Sequence, residues 1–91
     1  MKATLLKVTG EISTVSPVNG NCFTLEEVQS LVNGYVQVID LCSNKIMIIN
    51  EEGKFHFELN VEATRIALMN SAIFPDDYIA GDAIVCDGSM F

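Results

Sequence analysis

The chain carries few groups able to do chemistry, and their spacing says what each can be. His56 is the only imidazole, and Cys22, Cys42 and Cys86 are the only thiols. A Cys–His dyad needs one of these thiols within hydrogen-bond reach of the ring, and no local signature brings them together. The cysteines are odd in number and widely separated, with no C-x-x-C pair, so neither a disulfide framework nor a zinc knuckle is implied. Cys42 and Cys86 fall in or beside apolar strand patterns, where a free thiol behaves as a small hydrophobe. The carboxylates come as adjacent pairs, Glu26-Glu27, Glu51-Glu52 and Asp76-Asp77. Sequence neighbours rarely converge on one substrate atom. Asp76, Asp77 and Asp82 share the last loop and are candidates for a weak cation site, but they lack the spacing of a calcium loop. No phosphate-binding loop, dinucleotide fingerprint or nucleophile elbow is present. The reading is therefore no catalytic residue, no cofactor and no resident metal; a small enzyme is the weakest of the alternatives.

Charge narrows the partners. Twelve acidic residues against five basic ones give a net charge of −7. Affinity for a phosphate backbone comes mainly from lysine and arginine displacing condensed counterions, and here Lys2, Lys7, Lys45, Lys54 and Arg65 are scattered. Direct binding of nucleic acid is not expected, and binding to an anionic membrane surface fails for the same reason. The apolar stretch Ala3 to Leu6 is cut by Lys7, too short for a secretory core or a membrane span. A cytoplasmic location is the expectation.

The elements that position these groups are legible from periodicity. Ninety-one residues with 49% hydrophobic content make one domain, residues 1–91, with room for one core. Residues 3–9 and 11–16 flank Thr9-Gly10 as a hairpin. Pro17 and Asn19-Gly20-Asn21 end it. Thr24-Leu25-Glu26-Glu27 has capping-box spacing, with Phe23 and Val28 placed as a hydrophobic staple. Leu25, Val28, Leu31 and Val32 recur at helical spacing, and Gly34 is read as the left-handed closing residue. A helix over 25–33 follows. The period then falls to two: residues 35–41 and 46–50 form antiparallel neighbours about the Ser43-Asn44 turn, with the helix across one face. Ile46-Met47-Ile48-Ile49 has no polar residue and so reads as a strand covered on both faces. Residues 50–54 are expected as a type I turn closed by Gly53 in a bulge. Phe55, Phe57 and Leu59 alternate with His56 and Glu58 as a third strand over 54–59. Asn60 caps a helix over 61–69, Pro75 bars its continuation, and Ala83 to Cys86 form a last short strand. The predicted order is ββαβββαβ, an α+β domain with a mainly antiparallel sheet and two helices.

The order Thr24-Leu25-Glu26-Glu27, Gly34-Tyr35-Val36, Asn50-Glu51-Glu52-Gly53-Lys54, Asn60, Ala63-Thr64 and Ile79-x-Gly81-Asp82 resembles the domain-of-unknown-function family numbered 3846. The resemblance covers about residues 24–87. It implies a gene of phage or mobile-element type and supplies no catalytic residues.

Two non-enzymatic functions fit these features. One is a protein-binding or accessory module. The other is an acidic decoy that mimics DNA and occupies a nuclease or restriction enzyme, which needs carboxylates along a single stripe. With a mean hydropathy of +0.35, the chain has more apolar side chains than a thin core covers. The excess gathers in Ala72-Ile73-Phe74 and in Met90-Phe91, where a loop and a chain end are poor places to bury them. Ile73, Phe74, Met90 and Phe91 are the expected interaction surface, and a two-fold homodimer is its simplest use.

Overall fold

The structure is a computed structural model describing residues 2–91. Five antiparallel strands form one sheet in the order β2-β1-β5-β4-β3: β1 (Ala3–Leu6), β2 (Ile12–Val15), β3 (Val36–Asp40), β4 (Lys45–Asn50) and β5 (Ala83–Asp87). The helices are α1 (Leu25–Val32), the single turn α2 (Gly53–His56) and α3 (Val61–Met69), and a 3-10 turn follows β5 at Gly88–Met90. The α+β class stands.

Strand alternation builds two cores, one on each face. Leu5, Ile46, Ile48, Ile84 and Cys86 point to one side, where Phe23, Val28 and Val32 of the α1 region and Met90 cover them. Leu6, Met47, Ile49 and Ala83 point to the other, beneath Ala63 and Ala67 of α3 and beside Ile79. The unbroken apolar run in β4 thus has the cause inferred for it: successive residues serve opposite cores. The middle strand, however, is β5, which pairs with β1 on one side and β4 on the other.

The local chemistry of the helix starts also stands. Thr24 Oγ1 accepts from Glu27 N at 3.2 Å, and Thr24 N donates to Glu27 Oε1 at 2.8 Å, closing the box. Val18 N donates to the other oxygen of Glu27 at 2.8 Å. These backbone donors, Thr24 first and Val18 next, hold the Glu27 carboxyl below its usual pKa. At α3, Asn60 is fully buried and its side chain is fully used. Its Oδ1 accepts from Ala63 N at 3.0 Å, while its Nδ2 donates to Leu6 O and Gly81 O, each at 2.9 Å. One side chain joins α3, β1 and the segment before β5.

Three expectations are corrected. First, residues 54–59 are no strand. Both edges of β4 are taken, by β3 and by β5, so a further strand has no ladder to join there. The chain makes α2 instead, and Leu59 keeps only an isolated bridge to Ala80. Gly53 closes no bulge; it is buried at the start of α2, where a Cβ would stand 2.3 Å from Ala80 O. Close backbone approach, rather than a left-handed turn, is what requires glycine. Second, the left-handed residue closing α1 is Asn33 (φ 66°), a type tolerated there. Gly34 follows at φ 155°, with the Asn50 amide 2.8 Å from where its Cβ would be. Third, Cys42 is exposed beside the β3–β4 turn, as is Cys22 near α1, and only Cys86 lies in a core.

Candidate protein-interaction site

The four residues singled out from the sequence separate. Met90 is completely buried in the α1-side core, and Phe23 N donates to Met90 O at 2.7 Å, so this part of the expected exposed tail is core. Phe91 beside it is 39% exposed. Ile73 is half-buried against the α3-side core. Phe74 is 78% exposed. Because Met90 and Ile73 serve opposite faces of the sheet, the two segments form no joint patch.

Phe74 belongs instead to a groove of 770 Å³ between the β3–β4 end of the sheet, α2 and residues 71–80. Its apolar lining includes Ile39, Ile49, Ile73 and Ile79, and Phe55 and Phe74 stand at it. Phe55 is 81% exposed. Two phenylalanines left in water beside an apolar concavity are the informative departure here, since isolated apolar groups on a surface are ordinary.

The walls are fixed by identifiable bonds. Residues 58–60 run against 79–81: Asn60 N donates to Ile79 O at 2.8 Å and Gly81 N to Glu58 O at 2.9 Å. Thr64 Oγ1 accepts from Ile79 N at 2.8 Å. Lys54 of α2 forms an ion pair with Asp77 and lies 4.8 Å from the centre of the Tyr78 ring, within cation–π range. Asp77 also accepts from Tyr78 N at 2.7 Å. The hydrogen bond between them lowers the Asp77 carboxyl from its ordinary pKa and raises the Lys54 amine.

This geometry also places the other candidates. Asp77 is occupied by Lys54, and Asp82 accepts from Val8 N at 3.0 Å. Among the described residues, no three His, Cys, Asp or Glu side chains are grouped to hold a metal ion. His56 is exposed on α2 and is not among the groove-lining residues. Burial raises the Cys86 thiol above its ordinary pKa, which disfavours the thiolate that reacts. Asn50 also lines the groove, but its side chain is spent: Nδ2 donates to Val32 O at 3.0 Å and Oδ1 accepts from Glu52 N at 2.8 Å. Gln37, Glu51 and Ser71 remain as polar lining outside these bonds. Such a surface offers aromatic and aliphatic contact with a few orienting polar groups.

The model of the family described as Domain of unknown function (DUF3846) matches residues 1–90. The chain belongs to this family. The match includes the amino-terminal hairpin, which the motif order alone left outside the resemblance. No curated protein and no solved structure matches the chain. Among the described residues of this DUF3846 protein, no helix is long and apolar enough to cross a membrane.

Sequence reasoning found Ile73 and Phe74 but missed Phe55, Lys54 and Tyr78. The alternation of Phe55 and Phe57 reads in the sequence as a strand with one wet face. The contrary signal was Gly53-Lys54, together with the Asn60 cap only a few residues later.

Proposed function

We propose that this DUF3846 protein is a non-enzymatic protein-binding module. Its contact surface is the groove bordered by Phe55 and Phe74, and its partner presents apolar side chains flanked by basic ones. Such a module suits the accessory role in a phage or mobile element that the family resemblance implies. The observation that carries the reading is the exposure of both phenylalanines beside an apolar concavity lined also by the Lys54–Asp77 pair. Aromatic residues, phenylalanine among them, are enriched at the cores of interfaces.

Charge favours a different protein over a second copy. Among the described residues, three of the five lysine and arginine side chains are engaged in pairs, Lys45–Asp87, Lys54–Asp77 and Arg65–Glu62, so the remaining side-chain charge is mainly acidic. Two copies would bring two charges of −7 together, whereas a basic partner gains from the same field. The binding reading is also preferred to the acidic decoy. Glu26 and Glu27 lie on α1, over one face of the sheet, while Glu51 and Asp77 line the groove on the other, and one acidic stripe is what a decoy requires.

The test is affinity capture from the native host with the full chain and with a Phe55→Ser/Phe74→Ser double variant as bait. A partner retained by the natural chain and lost by the double variant is expected. A partner retained equally by both would remove the groove from the binding surface.

A further inference from the structure

Beside the groove lies an open sheet edge, and its hydrogen-bonding direction can be worked out. Glu51 N donates to Tyr35 O at 2.8 Å, and Leu41 N to Lys45 O at 2.9 Å. With the pairing Val36↔Asn50 to Asp40↔Ile46, the residues of β3 facing β4 are therefore the odd-numbered ones. Antiparallel ladders alternate, so the N–H and C=O groups of Val36, Val38 and Asp40 point away from the sheet. Among the described residues nothing beyond β3 pairs with this edge: β3 ends the strand order, and no turn or loop bond reaches those three residues. Gln37 and Ile39, between them in sequence, turn their side chains to the α3 side and line the groove. The edge and the groove are one continuous surface.

We propose, resting on the groove reading above, that β3 receives an extended segment of another protein as a sixth strand. Strand addition obtains affinity from main-chain hydrogen bonds and specificity from pockets for alternate side chains. Both parts are present here. Residues of the incoming strand level with Gln37 and Ile39 project over the groove toward Phe55 and Phe74. Those level with Val36 and Val38 project to the α1 side, where Val38 is exposed. Carboxylates bracket the edge, with Asp40 at one end of β3 and Glu51 beside the other. The span from Val36 to Asp40 is about 13 Å at strand rise. The partner segment therefore carries apolar residues at alternate positions with lysine or arginine at its flanks. Asp40 also acts against unselective edge-to-edge pairing, as charges on edge strands do.

Short random peptides displayed on phage, selected against the full chain, supply the probe. Enriched peptides then serve for titration and for amide hydrogen exchange. The expected result is alternating apolar positions with flanking basic residues, and slowed exchange at Val36, Val38 and Asp40 on binding. Val38→Pro deletes one outward donor and leaves the inward ladder whole, a position where an edge strand tolerates proline. It should weaken binding about tenfold. N-methylating alternate peptide amides gives the same test without altering the protein: one set abolishes binding and the other spares it. Peptides with helical spacing that need Phe55 and Phe74 but bind Val38→Pro unchanged would overturn strand addition and leave the groove reading intact. Binding indifferent to all three substitutions, or no enrichment, would overturn both. A chain sedimenting at twice its mass, returned to monomer by Val38→Pro, would assign the edge to a second copy and overturn the proposed partner.

Discussion

The two faces of the sheet are covered by helices of nearly equal length and end up different. On one face α1 sets Val28 and Val32 into the core, and Phe23 and Met90 fill in beside them. On the other, α3 buries only Ala63 and Ala67, four residues apart on one stripe. Alanine side chains are short and cover little of the sheet beneath them. The part of that face over Ile39 and Ile49 is left to residues 71–80, which curve over it rather than fill it, and the groove results. The two faces thus differ in the bulk their helices bury, and the α1 face is the more filled.

Substitutions can break this contrast in graded steps. The largest loss is expected for Asn60→Ala on the α3 face, because it removes a helix cap and leaves the buried Leu6 and Gly81 carbonyls without their donor. A cost of about 3–5 kcal/mol in denaturant unfolding is expected; a loss below about 1 kcal/mol would show that Asn60 does not join the face together. Met90→Ala on the closed face should cost about 3 kcal/mol, the usual range for a buried methionine. If it left the unfolding midpoint unchanged, Met90 would not be core. Thr24→Ala opens the capping box for about 1 kcal/mol. Glu27 has a depressed pKa in the folded chain, so its contribution is present above the ordinary glutamate range. It is lost as pH falls through the lowered value. Thr24→Ala keeps the backbone donors to that carboxylate, so the pH test needs Glu27→Gln. The difference between natural and Glu27→Gln unfolding curves should narrow below about pH 4, and a difference constant through that range would contradict the carboxylate's part in the cap. Phe74→Ser should change stability by less than about 0.5 kcal/mol, since the ring is already in water. A larger loss would make Phe74 part of the core and remove it from the rim.

The parts legible in the sequence were those decided by neighbours along the chain. The Thr24–Glu27 box, the Asn60 cap, the β3–β4 hairpin and the two-faced run in β4 all rest on spacing within a few residues. Ser43 and Asn44 adopt φ of 61° and 60°, the pair of positive angles a tight hairpin turn demands. The misreadings turn on distant contacts. Residues 54–59 alternate as a strand does, and only the tertiary pairing, with β3 and β5 flanking β4, shows that they join no ladder. Gly53 resembles a turn glycine, and only Ala80 shows why a side chain is excluded. Met90 looked exposed by its place near residue 91, yet its backbone and side chain are held by the Phe23 region. The groove was half legible: Ile73 and Phe74 stood out as apolar residues without a core, whereas Phe55 was hidden in a false strand.

The position of β5 bears on how the molecule assembles during synthesis. Before residue 83 the sequence supplies two hairpins, β1 with β2 and β3 with β4, that share no ladder in the fold. Residues 83–87 alone connect them, by entering between β1 and β4 and pairing with both. Without β5, Leu5, Leu6, Met47 and Ile48 lose a neighbouring strand. The keystone of the sheet thus comes after all the strands it joins, and its ladders are the long-range pairing that makes folding slow.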